Sequence, residues 1–134
     1  MDNCIFCKII KGEIPSYKIY EDEYVLAFLD IAKDVDGHTL VIPKKHYVNI
    51  LDVDEDTLNH VMKVVKLISN HYVSKCGYSG VNLINNNGES AEQAIGHLHF
   101  HIIPRLENDH IYVFPKFAGA KYSLEDTLNK LKIN

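Results

Sequence analysis

Histidine alternates with apolar residues over a short stretch in the C-terminal third of the chain. The stretch reads His97, Leu98, His99, Phe100, His101, Ile102. On a β-strand, successive side chains point to opposite faces, and alternate residues lie roughly 6.6 Å apart. The pattern therefore predicts a strand with three imidazoles on one face and apolar side chains on the other. Because imidazoles titrate near neutral pH, such a row suits nucleophilic catalysis or metal binding better than an ordinary solvent-facing edge.

Length and charge limit what the rest of the chain can be. The 134 residues predict a single domain spanning residues 1–134. A net charge of −4 argues against a nucleic-acid partner. The apolar runs are too short for a membrane span, and the first residues lack the basic and apolar regions of a secretory signal. We therefore expect a cytoplasmic protein with no membrane partner.

The pattern of the whole chain predicts an α+β fold. Helices are expected at 4–11, after the N-cap Asp54 and at 124–132, and strands at 18–21, 24–30, 39–42, 78–85 and the histidine segment, which Pro104 should end. A polar loop at 86–92 leads into that last strand. Short connections favour antiparallel pairing, so we expect a five-stranded, mainly antiparallel sheet with one long helix and a short N-terminal helix.

The cysteines add a second chemical signal. Cys4 and Cys7 have the Cys-x-x-Cys spacing that supplies half of a tetrahedral zinc site. A thioredoxin-like redox pair is a rival interpretation, although the expected βαβ context is missing. Two unrelated buried thiols are the other alternative.

The run from His97 to Ile103 resembles the motif of the histidine triad (HIT) family of nucleotide hydrolases and transferases. The resemblance extends to Cys4–Ile10, Phe28–Asp30 and Gly37–His46. It is nearest to the Hint-like branch with a bacterial-type zinc-binding N-terminus. It implies a HIT-like homodimer in which the two sheets join, and hydrolysis at the α-phosphorus of purine nucleoside phosphoramidates or related AMP and GMP derivatives. The stretch from about 108 to 134 lies beyond the motif as a C-terminal extension.

The resemblance also assigns catalytic roles. A neutral imidazole can attack phosphorus and form a covalent intermediate, while neighbouring imidazoles stabilise the developing charge. By resemblance, His99 is the nucleophile that forms a nucleotidyl-histidine intermediate, and His101 contacts the α-phosphate. His38 is expected behind His99, where it would hold the tautomer of that ring. The sequence spacing alone favours a different interpretation, in which His38 is a turn residue after Gly37.

Residues for binding a purine nucleotide follow from the same resemblance. They are Ile5, Phe6, Ile9, Phe28 and Ile31 around the base, Asp30 on the ribose, and Asn86, Gln93 and His101 near the phosphate. The alternative interpretation is that the apolar residues are core residues and that Asp30 and Asn86 form turns. Ala94 departs from the family, which usually has a hydroxyl residue there, and this leaves the leaving group open.

The resemblance completes the metal site with His46 and His97, which would join Cys4 and Cys7. Such a Cys₂His₂ set has no open position, so the zinc would be structural and none would be required for the chemistry. Two further functional hypotheses stay open. One is a dinucleoside polyphosphate hydrolase, and the other is a zinc-stabilised nucleotide-binding or interaction module with incidental activity.

Overall fold

The computed structural model describes residues 3–134, so Met1 and Asp2 of the predicted domain lie outside it. The elements are α1 (Ile5–Ile10), β1 (Lys18–Glu21), β2 (Val25–Leu29), β3 (Thr39–Pro43), α2 (Glu55–Lys75), β4 (Gly80–Ile84), a 3₁₀ turn (Glu89–Ala91), β5 (Phe100–Arg105) and α3 (Leu124–Leu131). The strands form one sheet in the order β1-β2-β3-β5-β4, and every neighbouring pair is antiparallel. The predicted α+β fold with a five-stranded antiparallel sheet is confirmed.

The central strands are buried on both faces of the sheet. One face packs against α2, and its cluster comprises Val25, Ala27 and Val41 together with Leu98, Phe100 and Ile102. The other face packs against α1, and its cluster comprises Phe6, Ile9, Leu26, Phe28, Leu40 and Ile42. Because the apolar members of the histidine segment lie on the α2 face, the alternating imidazoles lie on the α1 face. Burial of both faces explains why β2 and β3 have continuous apolar sequences.

Helix α2 forms where its sequence signals predict. The Asp54 side chain accepts a hydrogen bond from the backbone N–H of Thr57, which caps the first turn. Val61, Val64, Val65, Ile68 and Tyr72 recur at helical spacing, and all of them are buried against the sheet. Gly77 follows the helix with a φ of +85°, the left-handed conformation that commonly ends helices.

The prediction for the histidine strand needs correction. Strand β5 begins at Phe100, so His97 and His99 lie before it and His101 alone of the three lies within it. Pro104, expected to end the strand, instead belongs to it. It pairs with Val81 of β4, whereas β3 pairs with β5 only as far as Ile102. Strand β3 begins at Thr39, opposite Ile102, so no residue of β3 lies beside Pro104. The N–H that proline lacks is therefore not needed on that side.

A buried chain of hydrogen bonds connects α2 to the turn before β3. The Tyr72 hydroxyl lies 2.6 Å from Thr39 Oγ1, and Thr39 in turn donates to the carbonyl oxygen of Gly37 at 2.7 Å. Gly37 has a φ of +82°, and a Cβ built there would lie 2.9 Å from Pro104 Cγ and 3.3 Å from the Tyr78 hydroxyl. Only glycine tolerates both the left-handed backbone and the close contact. The turn therefore fixes the position of the next residue, His38.

Strands β1 and β4 are the two edges of this sheet. The resemblance implied a homodimer with joined sheets, which stays a prediction, since the structure describes one chain.

In helix α3, Leu124, Leu128 and Leu131 are exposed. Among residues 3–134, no helix combines the length and apolar character that a membrane span requires.

We predict that Tyr72→Phe lowers the free energy of unfolding by about 0.5–1.5 kcal/mol, the usual contribution of one hydrogen bond. The hydroxyl is the group removed, and its partner Thr39 is fully buried. Urea denaturation should show a lower midpoint with an unchanged slope. Tyr17→Phe is the matched control, because Tyr17 is 70% exposed. Equal midpoints for the two variants would show that the Tyr72–Thr39 bond does not stabilise the fold.

Candidate active site

His99 is held in one tautomer by the backbone beside it. Its Nδ1 lies 2.7 Å from the carbonyl oxygen of His97. A carbonyl can only accept, so Nδ1 carries the hydrogen and Nε2 of the neutral ring keeps a lone pair. Asn85 Nδ2 donates to the His99 carbonyl oxygen at 2.9 Å, which fixes the backbone on the other side. Burial lowers the pKa of His99, while its bond to His97 and the charge of Asp30 oppose that shift. The ring is therefore unprotonated at neutral pH, with a lone pair on Nε2.

His101 stands next to His99 on the same face. The two ring centroids are 4.9 Å apart, and the rings meet edge to face. Burial lowers the pKa of His101 to about 4, with further lowering from the nearby His99 and His38. Its Nδ1 lies 2.9 Å from His38 Nε2. The His99 and His101 rings are therefore both neutral at neutral pH, and they share one buried space.

The expected position of His38 behind His99 is wrong. His38 contacts His101, and the carbonyl of His97 holds the His99 tautomer instead. The strand register explains the difference. Leu40 of β3 lies opposite His101, so His38, two residues earlier on the antiparallel strand, extends past His101 and away from His99.

Two carboxylates lie beside His38, one at each ring nitrogen. Asp34 lies against His38 Nδ1, with oxygens at 2.9 and 3.1 Å, and that contact lowers the pKa of Asp34. Asp30 Oδ2 lies 3.7 Å from His38 Nε2, while its Oδ1 accepts the N–H of Ala32 at 2.8 Å. Asp34 was missed from the sequence. It lies in a loop. A separation of four residues predicts a side-chain contact on a helix, but it predicts none in a loop.

The predicted base-binding residues divide into a buried and an exposed set. Phe6 and Phe28 are each 3% exposed and meet edge to face at 5.6 Å, and Ile9 belongs to the same cluster. Phe6 also lies 5.2 Å from the His99 ring. By contrast, Ile5 is 43% and Ile31 76% exposed. The buried residues are core residues that can form at most the floor of a base site, and contact with all five stays a prediction.

The predicted phosphate-binding residues lie in the loop before the histidine segment. Gln93 donates both amide hydrogens, to the carbonyl oxygens of Val48 and Ile95, and its oxygen accepts from Asn49 and from the N–H of Gly88. Gln93 thus stabilises the loop, and a direct bond to phosphate would require one of these contacts to break. Asn86 is half-buried in the same loop. Phosphate binding by either residue stays a prediction.

The predicted metal ligands lie together at the N-terminal end of the histidine segment. Ligand atoms of Cys4, Cys7, His46 and His97 all lie within 4.8 Å of one another. Sulfur-to-nitrogen distances are 3.3 Å for Cys7–His46, 3.4 Å for Cys4–His97 and 3.6 Å for Cys7–His97. Tetrahedral zinc with ordinary bond lengths would place S and N about 3.5 Å apart. The geometry of the four side chains therefore fits one zinc ion.

The surroundings of this cluster also suit a metal. His97 is fully buried, and its Nε2 lies 2.8 Å from the carbonyl oxygen of Pro43. That contact places the hydrogen on Nε2 and leaves Nδ1, the atom facing the cysteines, free to bind. Burial and the neighbouring Cys4 raise the pKa of the Cys7 thiol to about 11. A bound cation would supply the positive charge that the deprotonated cysteines need.

Comparison with known proteins identifies the family. A model of the HIT domain matches residues 11–108. "Protein hit" of Bacillus subtilis is 50% identical over 129 residues, which are 96% of this chain and 89% of that protein. Adenylylsulfatase HINT3 of Arabidopsis thaliana is 43% identical over 97% of this chain and 66% of its own length. Adenosine 5′-monophosphoramidase HNT1 of Saccharomyces cerevisiae is 42% identical over 78% of this chain and 63% of its own length.

Solved structures agree with this result. The crystal structure of a HIT family member from Bacillus subtilis superposes with a TM-score of 0.83, at 45% identity over 96% of this chain and 92% of that chain. A zinc-bound histidine triad family protein from Mycobacterium smegmatis superposes with a TM-score of 0.79, at 36% identity over 84% of this chain and 81% of that chain. The chain belongs to the histidine triad family, as its motif predicted.

Proposed function

We propose that this protein is a hydrolase that cleaves purine nucleoside phosphoramidates, or related AMP and GMP derivatives, at the α-phosphorus through a covalent nucleotidyl-His99 intermediate. The observation that carries the proposal is the 2.7 Å contact between His99 Nδ1 and the His97 carbonyl. It leaves the Nε2 lone pair available beside a second neutral imidazole, that of His101. A nucleophile whose proton position is fixed before substrate arrives loses no rotational freedom on reacting.

The chemistry runs in two displacements. In the first, His99 Nε2 forms a bond to the α-phosphorus as the bond from phosphorus to the leaving nitrogen breaks, and the departing amine takes up a proton. The His97 carbonyl stabilises the imidazolium that forms, because it already accepts the Nδ1 hydrogen. In the second, water forms the new P–O bond and releases a proton, which balances the one taken up by the amine, while the P–N bond to His99 breaks and the neutral imidazole returns. His101 is the residue placed to bind phosphoryl oxygens and to pass a proton to the leaving group.

Two of the relatives support the substrate class. One bears the name adenylylsulfatase and the other adenosine 5′-monophosphoramidase. Both names denote cleavage between an adenylyl group and a different leaving group. The shared part of the substrate therefore supports a nucleoside monophosphoryl unit for this chain. The leaving group itself is open, because Ala94 offers no hydroxyl to contact it.

A dinucleoside polyphosphate hydrolase is the second candidate enzyme. Its substrates also carry an α-phosphorus that His99 could attack. Comparing the rates on an adenosine phosphoramidate and on a diadenosine polyphosphate would distinguish the two enzyme activities. The third candidate is a zinc-stabilised nucleotide-binding or interaction module. Phe6 and Phe28 are buried, and their burial does not favour the polyphosphate hydrolase or the binding module over the phosphoramidate hydrolase.

We further propose that Cys4, Cys7, His46 and His97 hold a structural zinc ion. The sulfur and nitrogen distances support it, as does the zinc-bound relative from Mycobacterium smegmatis. When bound, zinc would supply a cross-link between α1 and the histidine segment. A complete Cys₂His₂ set leaves no open position, so His97 would take no direct part in the reaction.

We predict that His99→Ala lowers kcat by at least about a thousandfold, because the nucleophile is lost. AMP affinity should change only a few-fold. Mass spectrometry of the intact wild-type protein, after a short incubation with an adenosine phosphoramidate, should show an added AMP that the variant lacks. His71→Ala, at an exposed position of α2, is the control and should retain both activity and adduct. Wild-type protein that binds AMP without forming an adduct would favour the binding-module hypothesis.

The acid limb of the pH–rate profile should lie below pH 6.5. The reaction requires His99 unprotonated, and burial lowers the pKa of both His99 and His101 from the usual 6.5. Activity is therefore retained as the pH falls through 6.5 and is lost only at the lower values where the buried rings take up protons. Measuring kcat/KM between pH 4 and 8 tests this expectation. A limb at or above 6.5 would mean that substrate reaches a solvated, unperturbed histidine.

Removal of zinc should lower the melting temperature more than the initial rate. A strong chelator, or Cys4→Ser, would break the link between α1 and the histidine segment, whereas the reacting atoms belong to His99 and His101. Differential scanning fluorimetry and initial rates on the same samples make the comparison, with Cys76→Ser as the matched control because Cys76 is exposed and far from the cluster. A prompt loss of activity without any thermal shift would contradict a purely structural role.

A further inference from the structure

A second set of metal-binding atoms lies inside the candidate nucleotide site. Asp30, His38 and His101 each offer one ligand atom, and these atoms all lie within 4.8 Å of one another. The closest pair is His38 Nε2 and His101 Nδ1 at 2.9 Å, and Asp30 Oδ2 lies 3.7 Å from the same His38 nitrogen. Two imidazoles and one carboxylate form a ligand set that zinc and other late divalent transition metals accept.

Asp34 fixes which ring nitrogen of His38 carries the hydrogen. Its carboxylate lies 2.9 and 3.1 Å from His38 Nδ1, so that nitrogen carries a hydrogen. The other nitrogen of a neutral His38, Nε2, then presents a lone pair toward His101 and Asp30. Metal-binding histidines usually donate their second ring N–H to a carboxylate or carbonyl in this way, which fixes the tautomer and strengthens the ligand.

Little movement is needed to accept an ion. Nitrogen ligands about 2.05 Å from a tetrahedral metal lie about 3.3 Å apart. The His38–His101 distance would open slightly from 2.9 Å and the Asp30–His38 distance would shorten from 3.7 Å. The ion would replace the single proton that the two ring nitrogens share. A neutral His101 would then carry its hydrogen on Nε2, which leaves a lone pair on Nδ1 for the ion.

We propose that Asp30, His38 and His101 form a second binding site for a divalent transition metal, and that an ion bound there excludes the nucleotide. The exclusion rests on the proposed function, which assigns Asp30 to the ribose and His101 to the α-phosphate. The second site is weaker than the Cys₂His₂ cluster, because it has three ligands instead of four and lacks thiolates. Zinc would thus stabilise the protein at the first site and inhibit it at the second.

The test counts zinc by calorimetry in the full chain that already holds one equivalent. We expect wild-type protein to bind a second equivalent. Asp34→Asn should weaken that second event by about 10–100-fold, the usual effect of losing a carboxylate behind a metal-binding histidine. Asp34 is the variant of choice because its side chain is 53% exposed and the core does not depend on it. Asp36→Asn, two positions along the same exposed loop, is the matched control and should bind as wild type does.

The identity of the ligands is checked separately. Asp30→Asn should abolish the second event and leave the first intact, and cobalt added after the first equivalent of zinc should give a spectrum without the charge-transfer band of cobalt–thiolate bonds. A single class of zinc site in wild-type protein would overturn the proposal. So would a second event that Asp34→Asn and Asp30→Asn both leave unchanged, since the ion would then be bound by surface histidines such as His71.

AMP distinguishes failure of this proposal from failure of the proposed function. Saturating AMP should suppress the second zinc event and leave the first unchanged. If AMP binds and the second event persists, the two sites do not overlap and the exclusion is wrong. If AMP fails to bind the one-zinc protein, the proposed function fails and the exclusion fails with it, while the count of two zinc sites would still stand.

Discussion

His97 joins three parts of the molecule through three different atoms. Its Nε2 bonds to the carbonyl of Pro43 at the end of β3, its Nδ1 faces the cysteines of the N-terminal helix, and its own carbonyl accepts the Nδ1 hydrogen of His99. The side chain is fully buried, so these contacts are shielded from water and stronger than they would be at the surface. The position of the His99 ring therefore depends on the contacts that His97 makes with β3 and with the cysteines.

Burial of the imidazoles has an energetic cost and a chemical benefit. Placing His97, His99 and His101 on the α1 face of a sheet that is covered on both sides lowers the pKa of each ring. A protonated histidine would be costly there, so the rings stay neutral. Neutral rings keep a lone pair, so they can act as nucleophiles or as metal ligands. The same burial that stabilises the fold therefore prepares the site.

Much of the fold could be predicted from local patterns, and much of the site could not be predicted from them alone. The bounds of β1 and the cap at Asp54 follow from neighbouring residues, and the structure shows both where the sequence placed them. The start of β5 depends instead on where β3 stops pairing, which is a property of two strands that lie 60 residues apart in the sequence. The partner of His38 is also set by that register, so the expected contact with His99 was wrong.

The resemblance to a family added what local patterns could not. It grouped His46 and His97 with Cys4 and Cys7, residues that the fold brings within 4.8 Å although up to 93 positions separate them. It did not find Asp34, because that residue lies outside the motif and acts through a loop conformation. It also assigned Gln93 to the phosphate, whereas the side chain fills all its hydrogen-bonding positions with loop groups.

The glycine turn before His38 has a consequence for how this protein can change over evolution or by design. Gly37 combines a left-handed backbone with a proline ring 2.9 Å from where a side chain would begin. Any mutational scan should therefore find the position closed to other amino acids, and a change at Pro104 would relieve the close contact but not the left-handed backbone. The loop before it, from Ile31 to Asp36, is less restricted, because its side chains are mostly exposed, although Asp34 is held by its contact with His38. Sequence change is thus more accessible in that loop than in the turn that follows it.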